Sequence, residues 1–238
     1  MQQLLIITPV KDSIDHTVRT MEAVVQSELD IPHRYVVFND NSTPENTARL
    51  HSEAARLGVE VVDLATLTDH PSPNYLFVLR RCRKEALADD AGLLIVESDV
   101  TVQRDTLQKL FDGATARPNC GIAAAVTVDE EGKINYPYLY AHGKEGQDYD
   151  CKKHCSFCCS LLTPALLKAC DFDRLDDSKN WFDVTISHDS LAAGLHNYLF
   201  CSLPVLHRPH GSRPWKQLKY TNPIKYYWTK WTKGFDKI

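Results

Sequence analysis

The sequence predicts an α/β protein with a mainly parallel central sheet flanked by helices. Short runs of large apolar residues alternate with segments of helical periodicity through the first 130 residues. The runs are continuously apolar, which is typical of strands buried on both faces of a parallel sheet. The strand–helix order continues without an internal repeat or a low-complexity linker, so we expect one folded domain.

The composition is that of a folded, soluble chain. Hydrophobic residues make up 43% of the 238 residues and charged residues 24%, which argues against intrinsic disorder. No apolar run approaches the roughly 20 residues that cross a bilayer, and the N-terminal segment lacks the features of a secretory signal. Eight cysteines without such a signal indicate reduced thiols. These observations predict a cytoplasmic protein.

Apolar runs and capping signals predict the order of the elements. The predicted strands are Leu4–Thr8, Tyr35–Phe38, Val59–Val62, Leu93–Val96, Gly121–Val126, Ser156–Leu162 and Tyr198–Leu203. The predicted helices are Ile14–Val25, Thr43–Gly58, a segment ending near Ala88, Gln103–Phe111, a short helix opened by Thr163 and Pro164, and a helix from a Ser187 cap to about Gly194. Residues 127–154 are polar and glycine-containing, which predicts a hairpin and loop.

Polar side chains lie at or just after the ends of three of the predicted strands. Thr8 lies at the end of the first, Asp40 comes just after the second, and Glu97 to Asp99 follow the fourth. Ligands of open parallel sheets bind beyond the carboxyl ends of the strands. We therefore expect these residues on one rim of the sheet.

Glu97 and Asp99 are spaced for binding a cation. Alternate side chains of extended chain share a face, so both carboxylates can converge on one ion. Oxygen ligands suit Mg²⁺ or Mn²⁺, and such an ion can bridge the phosphates of a nucleotide. A structural alternative is that Asp99 caps the following segment and that Asp40 forms an Asx turn.

Three segments in order carry a resemblance to a known family. They are Ile-Ile-Thr-Pro-Val near the start, Val-Val-Phe-Asn-Asp-Asn-Ser-Thr after the second strand and Leu-Ile-Val-Glu-Ser-Asp-Val after the fourth. Their sequence and intervals resemble the motifs of family 2 glycosyltransferases, which have the Rossmann-like GT-A fold. The resemblance covers residues 3–112 and continues more weakly to about residue 210.

The resemblance implies a nucleotide-diphosphate sugar donor, most simply of the UDP type, and a Mn²⁺ or Mg²⁺ cofactor. By this resemblance Thr8 and Asp40 contact the nucleoside, and Asp99 is the metal ligand. The implied donor-binding set is Thr8, Pro9, Asp40, Glu97, Ser98 and Asp99. Two positions depart from the family pattern: Asn39 stands where an Asp is usual, and Glu97 replaces the first Asp of the Asp-x-Asp signature.

The resemblance also implies a general base and a distal histidine. Asp189 matches the catalytic acid of the second half, with Asp183 as the fallback. An inverting transfer requires such a carboxylate to take the proton of the acceptor hydroxyl. His207 is the expected metal ligand after the last strand, with His210 in reserve. Two arginines, Arg208 and Arg213, could steady phosphates through forked hydrogen bonds.

A cysteine cluster suggests different chemistry. Cys151, Cys155 and Cys158 have the C-x3-C-x2-C spacing of radical SAM enzymes, and with His154 they offer four zinc ligands. The preferred interpretation is that Cys158 lies in a buried strand and that residues 151–155 form a mobile loop over the sugar site.

The C-terminal segment is basic and aromatic. From residue 206 to 238 the chain carries eight Lys or Arg and one Asp, whereas the remainder has a net charge of −11. The aromatic residues can pack on the domain as an amphipathic helix or can lie on an anionic membrane surface; nucleic acid is not expected. The packed helix would use Tyr227, Trp228, Trp231 and Phe235.

Together these observations predict a metal-dependent inverting glycosyltransferase. Residues 1–215 would form the GT-A domain, with a nucleotide-binding half (1–112) and an acceptor half (113–215), and residues 216–238 a tail. The acceptor would be a glycan or a lipid-linked hydroxyl, and peripheral membrane contact would occur through the tail. Two alternatives stay open, a non-catalytic nucleotide-sugar or glycan-binding module and an iron–sulfur or zinc protein.

Overall fold

A computed structural model describes residues 1–177, 181–209, 218 and 222–232. In these ranges the strands are β1 (Leu4–Val10), β2 (His33–Asn39), β3 (Glu60–Asp63), β4 (Gly92–Val96), β5 (Val100–Thr101), β6 (Cys120–Val128), β7 (Tyr149–Asp150), β8 (Cys159–Leu162) and β9 (His196–His207). The α-helices are α1 (Ile14–Val25), α2 (Pro44–Leu57), α3 (Tyr75–Ala88), α4 (Thr106–Thr115), α5 (Pro164–Ala169), α6 (Phe182–Ala192) and α7 (Pro223–Thr232).

The strands form one mixed sheet in the order β3-β2-β1-β4-β8-β6-β9-β5, and β7 pairs with β9. Strands β1 to β4 are mutually parallel, and β6 and β9 are parallel to each other. Because β8 is antiparallel to both β4 and β6, six of the nine strands run in one direction. This confirms the prediction of an α/β fold with a mainly parallel sheet.

Apolar side chains of each strand alternate between the two faces of the sheet. Ile7 and Ile95 belong to the core beneath α3, α5 and α6, whereas Ile6 and Leu94 belong to the core beneath α1 and α4. Alternate residues of a strand point to opposite faces. Both faces are therefore covered, which explains why the strands are continuously apolar.

The first half follows the predicted boundaries closely, and α2 illustrates the local cause. The Thr43 hydroxyl accepts a hydrogen bond from the amide of Asn46, and Pro44 occupies the first helical turn. The helix ends at Gly58, whose φ of 70° is left-handed and is readily adopted by glycine. These signals are local, so they are visible in the sequence.

Several boundaries in the second half differ from the predictions. Helix α6 begins at Phe182, so the prediction that Ser187 caps this helix is wrong. Ser187 is buried inside the helix, where its hydroxyl accepts a hydrogen bond from the amide of Cys155. Strand β9 is longer than predicted and includes His207, because the β5 pairing extends it.

Helix α7 confirms a helix in the C-terminal segment but not its predicted packing. Tyr226 is buried, whereas Tyr227, Trp228 and Trp231 are 57%, 69% and 88% exposed. The prediction that these three residues pack on the domain is therefore wrong. Phe235 lies outside the described residues. Among the described helices, none has the length and apolar character that a membrane span requires.

Candidate functional site

The carboxyl ends of β2, β1 and β4 meet at one edge of the sheet. Register pairs Val10 with Asn39 and Ile7 with Ile95, so the segments that follow these strands are neighbours. The amide of Asp40 donates to the carbonyl of Val10 at 2.8 Å. The sequence-predicted rim is thus present, and it brings the ends of β1 and β2 together with the acidic segment after β4.

Four potential metal ligands converge beside the end of β4. The ligand atoms of Glu97, Cys158 and His207 all lie within 4.8 Å of one another. His207 Nε2 lies 3.5 Å from Asp99 Oδ2, and Cys158 Sγ donates a hydrogen bond to Glu97 Oε2 at 3.2 Å. Asp99 and His207 are both more than nine-tenths buried. This acidic edge therefore offers two carboxylates, one imidazole and one thiol.

Strand pairing explains the convergence of residues that lie far apart in the chain. The antiparallel β4–β8 pairing sets Cys158 beside Glu97, whose amide donates to the Cys158 carbonyl at 2.9 Å. The antiparallel β5–β9 pairing sets His207 opposite Val100, one residue beyond Asp99. The site is thus held by backbone ladders rather than by a flexible loop.

The orientation of His207 suits a metal ligand. Its Nδ1 lies 2.8 Å from the carbonyl oxygen of Tyr136. A carbonyl oxygen only accepts, so Nδ1 carries a proton, and in the neutral ring Nε2 has the lone pair that faces Asp99. Such a second hydrogen bond fixes the tautomer of metal-binding histidines. Burial lowers the pKa of His207, but Asp99 and Glu97 outweigh burial and raise it.

Negative charge is concentrated at the acidic edge when no cation is bound. Burial, followed by the neighbouring charge of Asp99, raises the pKa of Glu97 to about 7 from an ordinary value of 4.5. Its charged form is thus disfavoured in the folded protein. A divalent cation would stabilise the charged form of Glu97, because it neutralises the negative charge of the carboxylates.

This pKa shift predicts a pH-dependent effect of Glu97→Gln on stability. The folded protein keeps a proton on Glu97 that the unfolded chain has lost, so the stabilisation present below pH 4.5 is lost as pH rises through 7. In chelator at pH 8, we expect Glu97→Gln to be more stable than wild type by about 1 to 2 kcal/mol, or about 3 to 6 °C in Tm. At pH 5 the difference in unfolding free energy between Glu97→Gln and wild type should be much smaller.

Differential scanning calorimetry at both pH values measures this effect. Glu131→Gln, at an exposed glutamate, is the matched control and should change little at either pH. A larger gain for Glu97→Gln at pH 5 than at pH 8 would contradict the predicted sign.

Asp40 lies on the rim and also holds the loop that leads into α3 through hydrogen bonds. Its carboxylate accepts hydrogen bonds from Ser72 Oγ at 2.7 Å and from the amide and side-chain nitrogens of Asn74, both at 2.8 Å. A carboxylate has about four acceptor sites, so one remains for a ligand. Asp40 thus fixes the loop that leads into α3.

Tyr75, the first residue of α3, places an unsatisfied hydroxyl near the acidic edge. Among the residues that the structure describes, this buried oxygen has no hydrogen-bond partner, and Glu97 and Asp183 both act electrostatically on the tyrosine. A buried hydroxyl without a partner is costly. A bound ligand could satisfy it, and no local sequence signal pointed to this residue.

The two candidate bases lie at different places on α6. Asp183 is in the first turn, partly buried, and its charge acts on Glu97 and Cys155. Asp189 is exposed near the other end of the helix, where its charge acts on Cys170. The structure therefore brings Asp183, the fallback in the sequence-based prediction, to the acidic edge and leaves Asp189 away from it.

The remaining candidates are three residues of β1 and of the segment after β4, and three residues that follow β9 in the sequence. Thr8 is buried within β1, two residues before the end of the strand, so the expectation that it ends the strand is wrong; its hydroxyl lies 3.0 Å from the Tyr35 hydroxyl. Ser98 is buried, and Pro9 is partly buried. Arg208 is paired with Glu130 at 2.6 Å, so its predicted phosphate role would require exchange of partners. His210 and Arg213 lie outside the described residues.

The cysteine cluster does not form one site. Cys151 and Cys155 are buried and hydrogen-bonded to each other through their side chains, and this bond lowers the pKa of Cys151 to about 6. Cys158 instead faces Glu97. In the part of the chain that the structure describes, Cys151, His154 and Cys155 form no metal-binding group. Residues 151–155 lie in no helix or strand, as the predicted loop requires, and the Cys151 and Cys155 side chains belong to the core. Mobility of this loop and its position over the sugar site stay predictions.

The donor set at the acidic edge fits a divalent cation. It combines the buried Asp99 carboxylate and the half-buried Glu97 carboxylate with an imidazole whose Nε2 faces Asp99, and the unsatisfied Tyr75 hydroxyl lies nearby. Carboxylate and imidazole ligands suit Mn²⁺, Mg²⁺ or Zn²⁺. Glu97, Asp99 and His207 are the residues that would hold such an ion.

Three solved structures with a similar fold contain a nucleotide or a nucleotide-sugar. A mannosyltransferase from Pyrobaculum calidifontis, solved with GDP-Man and Mn²⁺, is 14% identical with a TM-score of 0.62 over 95% of this chain. S. aureus TarS with UDP-GlcNAc is 13% identical with a TM-score of 0.61 over 87%. GalNAc-T7 with UDP, GalNAc and Mn²⁺ is 11% identical with a TM-score of 0.62, also over 87%.

These likenesses establish the fold, which is the GT-A fold of nucleotide-diphospho-sugar transferases. The chain covers 63%, 59% and 44% of the three solved chains. No protein-family model and no curated protein matches the sequence. The sequence-based prediction of a GT-A fold is thus confirmed.

Proposed function

We propose that this protein is an inverting glycosyltransferase of family 2 that moves a sugar from a nucleotide-diphosphate donor to a hydroxyl acceptor. One observation carries the proposal: Glu97, Asp99 and His207 converge at the carboxyl edge of the parallel strands. This edge is where α/β sheets bind nucleotides. The nucleotide or nucleotide-sugar in each of the three similar structures, and the Mn²⁺ in two of them, support the same assignment.

The donor would lie along the rim formed by the ends of β1, β2 and β4. Asp40 and Thr8 would contact the nucleoside, for which a UDP-type donor is our first choice. Pro9, at the end of β1, and Ser98, between the two acids, would line the path to the diphosphate. Asp40 would also keep the loop before α3 in place, since three hydrogen bonds join them.

The diphosphate would lie at the acidic edge. A bound Mn²⁺ or Mg²⁺ would offset its charge and that of the carboxylates as the diphosphate departs. His207 and Asp99 would hold the ion, with Glu97 as a further oxygen ligand. Tyr75 can donate its unsatisfied hydroxyl proton to the donor's sugar or phosphate oxygens.

Asp183 is the general base that the geometry favours. Its carboxylate would take the proton of the acceptor hydroxyl while that oxygen attacks the anomeric carbon and the bond to the diphosphate breaks. The N-terminal turn of a helix favours the ionised carboxylate through the helix dipole. Attack from the side opposite the leaving group inverts the anomeric centre.

Isothermal titration calorimetry and turnover assays test this function. The full-length protein is titrated with UDP and GDP, each with and without Mn²⁺, and is then incubated with nucleotide-sugars and a panel of glycan and lipid-linked acceptors. Metal-dependent binding with sugar transfer is the expected result. Metal-dependent binding without transfer to any acceptor would instead favour a binding module, and no nucleotide binding would overturn the proposal.

Helix α7 supports a location at the inner face of a membrane. Its exposed apolar residues, Ile224, Tyr227, Trp228 and Trp231, have the i, i+3, i+4, i+7 spacing of one helical face. At about 100° per residue, Lys225 and Lys230 flank this face on opposite sides, and buried Tyr226 lies behind it. Aromatic residues flanked by lysines are typical of helices that lie on anionic bilayers.

We therefore expect the full-length protein to cosediment with phosphatidylserine-containing vesicles. The Trp228→Ser/Trp231→Ser double variant should bind at least about tenfold more weakly, because burial of two indole rings contributes more than 1.4 kcal/mol. Leu67→Ser, at an exposed apolar residue outside the helix, is the matched control. Equal binding of the double variant and wild type would contradict the membrane role.

A further inference from the structure

We propose that the Cys158 thiolate is a direct ligand of the cation at the acidic edge and gives this site a preference for a softer ion, such as Zn²⁺ or Co²⁺, over Mg²⁺. The proposal rests on the proposed function only in placing the cation there. The observation is the position of Cys158 Sγ within 4.8 Å of both the Glu97 carboxylate and the His207 imidazole.

The distances match those between ligands of a single ion. Atoms about 2.0 to 2.3 Å from one zinc ion at tetrahedral angles lie about 3.3 to 3.8 Å from each other. Cys158 Sγ lies 3.2 Å from Glu97 Oε2, and His207 Nε2 lies 3.5 Å from Asp99 Oδ2. Small side-chain adjustments would therefore place sulfur, nitrogen and oxygen atoms around one ion.

The backbone holds the cysteine in this position. Cys158 immediately precedes β8, and its carbonyl accepts the amide hydrogen of Glu97. Its neighbour Cys159 pairs with Val96, and both cysteines belong to the core beneath α1 and α4. The two thiols differ in their polar contacts, because the Cys158 thiol contacts the Ser156 hydroxyl and the Glu97 carboxylate.

Ligand chemistry determines the consequence. Without an ion, the Cys158 thiol donates its hydrogen to Glu97. Binding of a divalent cation releases that proton and forms a metal–thiolate bond. Thiolates favour zinc and other soft or borderline ions, whereas Mg²⁺ takes oxygen ligands. A site of oxygen and imidazole ligands alone would show a weaker preference for these ions over Mg²⁺.

Cobalt spectroscopy on the full-length protein tests the thiolate. The metal-free protein is titrated with Co²⁺ in the absence of nucleotide, and we expect a sulfur-to-cobalt charge-transfer band in the near ultraviolet. Cys158→Ser should lose the band and bind Zn²⁺ at least about tenfold more weakly, with a smaller change in Mn²⁺ affinity. Cys159→Ser is the matched control and should keep the band.

A measurement on the wild type avoids dependence on the variants' folding. X-ray absorption at the zinc edge should show one sulfur atom at about 2.3 Å. A zinc shell of nitrogen and oxygen alone, or no charge-transfer band with bound cobalt, would overturn the proposal. If the protein binds an ion through sulfur but binds no nucleotide, the thiolate ligand is supported and the proposed function is refuted. If it transfers sugar from a nucleotide-sugar and its bound ion has no sulfur ligand, the proposed function is supported and the thiolate ligand is refuted.

Discussion

Asp99→Asn is expected to lose metal-dependent sugar transfer. Asp99 is the buried carboxylate that faces His207, so its amide analogue keeps the shape of the site but removes a negative charge at the cation. Metal stabilisation of a departing diphosphate contributes several kcal/mol to the transition state. We expect kcat/KM to fall about 10²- to 10³-fold, equivalent to about 3 to 4 kcal/mol.

The measurement is initial-rate kinetics of transfer over a range of Mn²⁺ concentrations, accompanied by calorimetric Mn²⁺ titration. The variant should need more Mn²⁺ for half-maximal rate, since a ligand has been lost. Asp112→Asn, at an exposed aspartate of α4, is the control and should behave as wild type. Undiminished turnover of Asp99→Asn would remove this residue from the metal site.

Asp183→Asn should have a comparably large effect through a different step. The amide cannot accept the proton of the acceptor hydroxyl, so kcat should fall about 10²- to 10⁴-fold. Donor affinity should change little, because the proposed donor contacts lie on the rim and at the acidic edge. Transfer rates combined with UDP binding separate these two effects.

Asp189→Asn is the matched variant on the same helix. Asp189 is exposed and away from the acidic edge, so we expect a kcat within about twofold of wild type. This comparison decides directly between the base that the sequence suggests and the one that the structure favours. A large loss for Asp189→Asn, with activity retained in Asp183→Asn, would reverse our assignment.

The fold and half of the candidate site could be predicted from local signals. Continuous apolar runs identify β1, β2 and β4, and the topology of parallel sheets brings their carboxyl ends together. The sequence therefore predicts Thr8, Asp40 and Asp99 on one rim. This prediction requires only residue pattern and the direction of the strands.

Helix α6 shows where such reasoning fails. Its buried residues, Phe182, Val184, Ile186, Ser187 and Ser190, do not form a regular apolar stripe, and its first residue is not preceded by a side-chain cap. Ser187 therefore resembled a cap although its hydroxyl bonds Cys155 across the core. The sequence-based candidate for the base, Asp189, consequently lies near the C-terminal end of the helix and not in its first turn.

The sequence by itself determined the α/β architecture, the carboxylates after β4 and the aromatic character of α7, since each depends on neighbouring residues in the chain. The family resemblance had already implied His207 as a partner of Asp99. Only the tertiary structure decided that Cys158 joins them beside Glu97, and that Asp183 rather than Asp189 acts on this site. The physical reason is register. Cys158 and Glu97 are 61 positions apart, and only the antiparallel pairing of β8 with β4 sets their side chains in contact.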